Sequence, residues 1–563
     1  MRKKLLAGVM ALALCSTNMP PQTIFAGEFT SGNLEEVTEE TPEIFSDDNQ
    51  EVIEETEEEL SVFSSENVPE FSSEVNIMSA TADETEPIGI DMNDITNLNY
   101  YDSSKGIWKI TSAGSYRFNG TGNNDAPILI DHIDSGTVKV YLNNVNIHSA
   151  DRTPPLRITN TVHADVYIYL ESSNLLQSTY INSAALQIDG TTKLIIDNSP
   201  GTNGSLTANS SKHGTGIGSS GNSDLSPAFH IIIKGGAVTA SSFRSMGIGG
   251  NNSNITIKGG LVKVSSDQWC AIGGTKSNIT IDGGSVKASS RTHFGIKSSS
   301  LTINGGSVTA SSEEEPKEDI SSNQIIINGG SVKASSVSSS PTNDHGEKVY
   351  CCTIENLNSK KVIIDQNLKP WEPNNHQAVN PTDTNLYAWL TGEDHIVNVG
   401  TERRSYIFDS EDSESGTFSN TKRNATSDIF EFKGPRNFIY NGSSQTPSIT
   451  VNDTIKGVVN FTVKYFKEND STTEITEPKD VGTYIVKIDV NGGDFYNASS
   501  DYLTNENWKF DINPGTLTPK ITEHTGTYDG ISYPVITIDQ NTIPQNSIIA
   551  YLSLIHISEP TRP

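Results

Sequence analysis

Lys263, Lys287 and Lys333 fall at the same place in a run of near-identical segments, and Thr239 and Thr309 hold that place in two others. Side chains repeated in this way are brought into line, so the lysines could grip a linear polyanion at several weak points at once. The alternative is a solvated face with splayed lysines. Tyr141, Tyr167 and Tyr169 could present flat rings for stacking on sugars, or could pack across strands beneath a loop. Nucleophilic or metal chemistry has less to build on. Outside the N-terminal leader the chain has only Cys270, Cys351 and Cys352, with no zinc-like spacing of Cys and His. Cys270 reads as a small buried hydrophobe. Hydrolysis of a glycosidic bond calls for a pair of placed carboxyl groups, and no such pair stands out among the repeats.

The segments that carry the lysines are IIIKGGAVTASS at 231, ITIKGGLVKVSS at 255, ITIDGGSVKASS at 279, LTINGGSVTASS at 301 and IIINGGSVKASS at 325. Each is two short alternating runs joined by Gly-Gly, with apolar residues on one side and polar residues on the other. A third short element precedes them, as in Met246-Gly247-Ile248-Gly249, Cys270-Ala271-Ile272-Gly273 and Phe294-Gly295-Ile296-Lys297. Three strands in a unit of ~24 residues describe one coil of a solenoid, and coils stack ~4.8 Å apart. Ile257, Ile281, Ile303 and Ile327 should then form one interior column, Ile248, Ile272 and Ile296 a second, and Met246, Cys270 and Phe294 a third. Asn254 and Asn278, with Thr256, Thr280 and Thr302, should form outward hydrogen-bonding ladders.

Longer coils precede these, in 128–142, 156–170 and 186–196, so the pattern predicts eight or nine coils over about 92–340 and a rod ~40 Å long. Strands around Trp108–Ile110 and Gly114–Phe118 should cap its open end. Beyond Ser340 the repeat decays. Residues 350–365 read as a terminal coil, 385–400 as a hairpin, and 429–514 as one compact all-β module. Tyr528–Pro534 echoes Tyr440–Pro447, so a second copy begins near 515.

Composition sets the compartment and excludes one class of partner. Arg2, Lys3 and Lys4, an apolar run from Leu5 to Leu14 and the Ala26-Gly27 step read as a cleaved export signal, too short to span a membrane. The net charge is −30, and two thirds of it lies between Glu28 and Ile90, where there is no Lys or Arg. That stretch is expected to be a disordered spacer. So acidic a chain repels phosphate backbones, which excludes nucleic acid as the main partner. The last residues, from Leu552 to Arg562, read as translated sequencing-adapter sequence, so the native chain is expected to continue differently there.

The domain reading is therefore a signal peptide (1–26), a disordered acidic linker (27–90), a parallel β-helix (91–345), a terminal coil with a small β unit (346–428), a β module (429–514), the start of a second module (515–550) and an adapter artefact (551–563). The fold class is all-β: a right-handed parallel β-helix solenoid followed by small β modules.

The run Ile110-Thr111-Ser112-Ala113-Gly114-Ser115-Tyr116-Arg117-Phe118-Asn119-Gly120-Thr121, with Gly136-Thr137-Val138-Lys139-Val140-Tyr141-Leu142-Asn143-Asn144-Val145, resembles the carbohydrate-binding β-helix family typified by a clostridial cellulose- and pectin-binding surface protein. Over about 90–310 the resemblance implies a calcium-containing β-helix that holds acidic or cellulosic polysaccharide without cleaving it. The family's Asp-Gly-Ile-Lys-Ser turns appear here at His213–Ser219, Ser245–Gly249 and His293–Ser298, all lacking the Asp. Tyr440-Asn441-Gly442 and Pro478-Lys479-Asp480-Val481-Gly482-Thr483-Tyr484 resemble the MBG family of bacterial surface repeats, which implies a stalk. The His213–Ser219 turn also resembles a segment of polygalacturonases, but Gly-Ile-Gly recurs at 247–249, which makes it a turn of the repeat.

The expectation is an exported, non-enzymatic cell-surface protein that binds polysaccharide, with Lys263, Lys287, Lys333, Tyr141, Tyr167 and Tyr169 as candidate ligand-binding residues. Its expected partners are a polysaccharide and the cell envelope, and calcium is the cofactor that the resemblance implies. The competing readings are a lyase or hydrolase of acidic glycans and a purely structural adhesin stalk.

Overall fold

The computed structural model describes residues 86–541, apart from 121–125, 151, 222–227, 315–317, 356, 358–359, 366–383, 411–414, 517, 524–535 and 540. The expected signal peptide, the acidic linker up to residue 85, the 551–563 tail and the Tyr528–Pro534 echo lie outside the described residues. What is described is β structure with a single 3-10 turn at Ser427–Ile429.

Residues 88–333 form a parallel β-solenoid of three faces. Face 1 stacks ten strands, from Ile88–Asp91 through Gly114–Asn119, Thr137–Asn143, Asp165–Leu170, Lys193–Asn198, His230–Ile233, Asn254–Ile257 and Asn278–Ile281 to 300–303 and 324–327. Face 2 is an eight-stranded sheet from Asn146–Ser149 to Ser331–Lys333. Face 3 carries the short elements, from Ile107–Ile110 to 320–322. The turns therefore number about ten, more than the eight or nine expected, because the first coil strand is Ile88–Asp91, which begins inside the stretch expected to be a disordered linker, and the 107–119 strands are coil strands and not a separate cap. The open end is filled by aromatic side chains: Trp108 is fully buried, meets the Phe118 ring edge-on at 6.4 Å and lies 4.9 Å from Tyr101.

Alternation explains the core. Val238, Val262, Val286, Val308 and Val332 are in register on face 2 and buried, as are Ile257, Ile281, Ile303 and Ile327 on face 1 and Ile248, Ile272 and Ile296 on face 3. The third expected column is incomplete: Met246 and Cys270 are buried, but Phe294 is only half-buried, with the Lys297 ammonium 4.7 Å from its ring centroid. A ring at this tight corner is too large for the space a thioether or thiol fills.

The repeated Gly-Gly and Ser-Ser pairs have separate tasks. Gly260, Gly284, Gly306 and Gly330 turn the chain from face 1 to face 2 with φ between 80° and 87°. A Cβ at Gly284 would also stand 2.7 Å from the Gly260 carbonyl oxygen, so the turn admits only glycine on both counts. The second serine of each pair closes the next corner. Ser242, Ser266 and Ser290 donate to the carbonyls of Gly214, Ser245 and Trp269, and accept the N–H groups of Ser245, Trp269 and His293.

At the far end the chain departs from the sequence reading. Val349–Ile354 pairs antiparallel with Leu386–Thr391 and does not stack as a parallel coil. The 385–400 segment is no hairpin either. Its halves join different sheets, because His395–Val399 pairs with Glu402–Asp409 and Val362–Ile364. Leu386–Thr391 instead lies over the last coil of face 2, where the Tyr387 N–H donates to Ser331 Oγ at 3.1 Å and Trp389 Nε1–H to the Val332 carbonyl at 3.0 Å. An exposed last coil needs such a cover.

Residues 430–513 pack as β structure around Tyr484, Ile488, Trp508, Phe510 and Ile512. Its five-stranded sheet runs in the order Asn437–Ile439, Leu503–Asn513, Gly482–Gly493, Val459–Lys467, Asp470–Ile475. Charge-assisted contacts fasten it to the preceding unit: Arg403 to Asp494 at 2.8 Å and Lys456 to Glu393 at 2.6 Å.

Candidate functional site

Face 2 brings the predicted lysines into one column. Thr239 is opposite Lys263, Lys263 opposite Lys287, Lys287 opposite Thr309, and Thr309 opposite Lys333. All three lysines are exposed. Lys263 and Lys287 are direct neighbours, whereas Thr309 separates Lys287 from Lys333. Among the described residues, neither Lys263 nor Lys287 has a carboxylate within ion-pair distance or a hydrogen-bond partner.

What surrounds the column matters as much. The outward positions on one flank are Ala237, Leu261, Ser285, Ser307 and Ser331, and on the other Ser241, Ser265, Ser289 and Ser311. None of the outward residues from 237 to 333 on this face is Asp or Glu. A chain of net charge −30 thus offers here a strip with ammonium groups and hydroxyls and no carboxylate. Hydroxyls can both donate and accept hydrogen bonds, and no carboxylate of the strip itself competes for the ammonium groups.

The strip ends in a cleft of ≈ 250 Å³ lined by Ser307, Thr309, Ser331, Lys333, Thr384, Asn385 and Tyr387. The Lys333 ammonium lies 5.3 Å from the Tyr387 ring centroid, a cation–π distance that restrains an otherwise free side chain. Sequence reasoning missed Tyr387, Asn385 and Thr384. The available signal was the need to cover the last coil, which makes the alternating 386–391 run the next layer of face 2.

The tyrosines gather on another face. Tyr141 and Tyr169, in register on face 1, stack with centroids 4.9 Å apart, and Tyr167 lies 6.0 Å from Tyr169. Tyr141 is buried, with the Arg117 guanidinium 5.4 Å from its ring centroid and Arg117 held by Glu171 at 3.0 Å. Tyr167 and Tyr169 keep part of their surface, with Lys234 5.9 Å from the Tyr167 centroid.

The remaining candidates have structural tasks. At the Gly-Ile turns, Thr215 Oγ1 donates to the Ser219 carbonyl, Met246 and Cys270 are buried, and Phe294 lies under Lys297. The turns lack carboxylates, the Thr215 hydroxyl is spent on the Ser219 carbonyl, and thioether, thiol and ring groups are not the hard oxygen ligands that calcium takes. These turns therefore do not fit calcium, and among the described residues no three His, Cys, Asp or Glu side chains converge as a metal site. Burial pushes the Cys270 thiol up to about 12, which keeps it protonated and unreactive. The expected amide ladder is present, Asn278 donating to Asn254 at 3.1 Å, and a second joins Asn328, Asn304 and Asp282 at 2.8 Å per step.

Fold and site together define a parallel β-solenoid with a cationic, hydroxyl-rich face. Residues 104–344, nearly the whole solenoid, match the family described as carbohydrate-binding domain-containing protein. No curated protein and no solved structure matches the chain.

Proposed function

We propose that the protein is an exported cell-surface protein whose solenoid binds polysaccharide without cleaving it, and whose 430–513 module, with its MBG-like sequence, acts as a stalk. The single observation that carries the reading is the carboxylate-free strip of face 2, with Lys263 and Lys287 side by side and unpaired. Two like charges one rung apart, ~4.8 Å, repel unless an anion lies along them. A polymer with a carboxylate on each sugar supplies that anion repeatedly, and its hydroxyls meet the flanking serines. Many weak contacts along one chain add up to retention without a deep pocket. The match of 104–344 to a carbohydrate-binding family supports the ligand class.

The test is to titrate the full chain against insoluble, neutral and acidic polysaccharides, with and without calcium, while monitoring sugar release. Retention on polyuronates that is weakened by salt, with no product, is the expected result. Release of unsaturated sugar would make the protein a lyase, and no retention on any glycan would leave the solenoid as a spacer.

A further inference from the structure

The cleft at the end of face 2 differs in kind from the strip that leads to it. Along the strip, Lys263 and Lys287 project from a flat sheet. At Lys333 the surface becomes concave, because the 384–387 segment rises beside the last two coils. At ≈ 250 Å³ the cleft is smaller than the roughly 300–1,000 Å³ of sites for drug-sized ligands, and fits something the size of one sugar ring.

Its lining has the chemistry of an acidic sugar. One ammonium, Lys333, is the only charged group among the seven lining residues, so a bound group with one negative charge is balanced once. Ser307, Thr309 and Thr384 offer hydroxyls and Asn385 an amide with both donors and an acceptor. Ser331 Oγ is already engaged by the Tyr387 N–H, which fixes the wall. Tyr387 adds an apolar ring beside the charge, and holds Lys333 by the cation–π contact before any ligand arrives.

We infer that this cleft is a discrete subsite for a single carboxylate-bearing pyranose, with Lys333 pairing the carboxylate and Tyr387 meeting the sugar's C–H surface. The inference rests on the reading of the solenoid as a glycan binder, and gives that binder a preference for one anionic ring at this end of the strip. Lys263 lies three rungs from Lys333, ~14 Å along the axis. Lys287 lies two rungs from Lys333, ~10 Å, so the Lys263→Gln/Lys287→Gln variant is what separates binding in the cleft from binding on the strip.

The experiment is a saturation-transfer NMR and calorimetric titration of the full chain with digalacturonate, and with the neutral digalactose. The expected result is saturable binding of the acidic disaccharide only. It should weaken at least tenfold in Lys333→Gln and at least fivefold in Tyr387→Leu, and less than twofold in Lys263→Gln/Lys287→Gln. Because Lys333 is exposed, Lys333→Gln keeps the fold, which its unchanged melting temperature would verify. Equal binding of the neutral disaccharide, or equal weakening by the Lys263/Lys287 pair, would overturn the subsite. So would no binding of the disaccharide by a protein that still retains polyuronate, which leaves the function standing, whereas loss of both refutes the function itself.

Discussion

Lys333 and Tyr387 meet across the join between the last solenoid coil and the strand that covers it, ammonium to ring centroid 5.3 Å. Fifty-three positions in sequence separate them, so one contact makes the covering strand part of the candidate binding face.

Replacing Lys287 by Gln should separate function from stability. Retention on acidic polysaccharide falls, because one of two adjacent ammonium groups is gone. Stability to denaturant at low salt stays the same or rises slightly, because the repulsion from Lys263 one rung away is removed. Parallel binding and urea titrations would check the two effects.

The tyrosine stack should behave the other way round. It lies on face 1, so a polymer running straight along face 2 does not reach it. Tyr167→Ala removes ring contacts worth about 0.5–1.5 kcal/mol beyond the buried area. The variant should be less stable in chemical denaturation and retain polyuronate as the parent does.

Corner chemistry predicts two costly small changes. Ser266→Ala leaves the Trp269 N–H and the Ser245 carbonyl without the hydroxyl that joins them, at about 1–3 kcal/mol. Gly284→Ala forces a methyl group toward the Gly260 carbonyl at positive φ, for a loss of about 1–3 kcal/mol or more. Equilibrium unfolding followed by far-UV circular dichroism measures both.

The small β unit should show a pH-dependent stability set by His395 and Asp365. His395 is buried, its Nδ1–H donates to the Asp365 carboxylate, and its Nε2–H donates to the Thr391 carbonyl at 2.9 Å. Both acceptors demand a proton, so the ring is an imidazolium. Burial opposes that charge, but the bonds to Asp365 and Thr391 outweigh it and raise the His395 pKa. Burial likewise opposes the Asp365 carboxylate, and the bonds from His395 and the Ile396 N–H outweigh it and lower its pKa. The His395 contribution is full below its ordinary value near 6.5 and is lost as pH rises through the raised value. The Asp365 contribution is full above its ordinary value and is lost as pH falls through the lowered one. Melting temperature should therefore drop on going from pH 6 to 9, and His395→Gln should flatten that drop.

The solenoid was readable because its physics is repetitive. One coil buries nothing alone, so Ile257, Ile281, Ile303 and Ile327 had to recur at fixed spacing, and the lysine column came with them. Local pattern could not show that 350–365 and 385–400 pair with distant partners, because alternation marks a strand but not its neighbour. Tyr387 was hidden for that reason. Register alone does not state how much room the corner at Phe294 has, and the strands around Trp108–Ile110 and Gly114–Phe118 look like a cap in sequence because they lie outside the regular repeat. The corner role of Ser242, Ser266 and Ser290 lies in backbone carbonyls, which sequence does not display.

We propose that the face 2 strip holds an anionic polysaccharide through its lysines. This is tested most directly by calorimetric titration of the full chain with polygalacturonate at several salt concentrations, for the parent and for Lys263→Gln/Lys287→Gln. The expected result is an affinity that falls with salt in the parent, and a weaker affinity with a shallower salt dependence in the variant. Equal affinity and equal salt dependence in both proteins would contradict it.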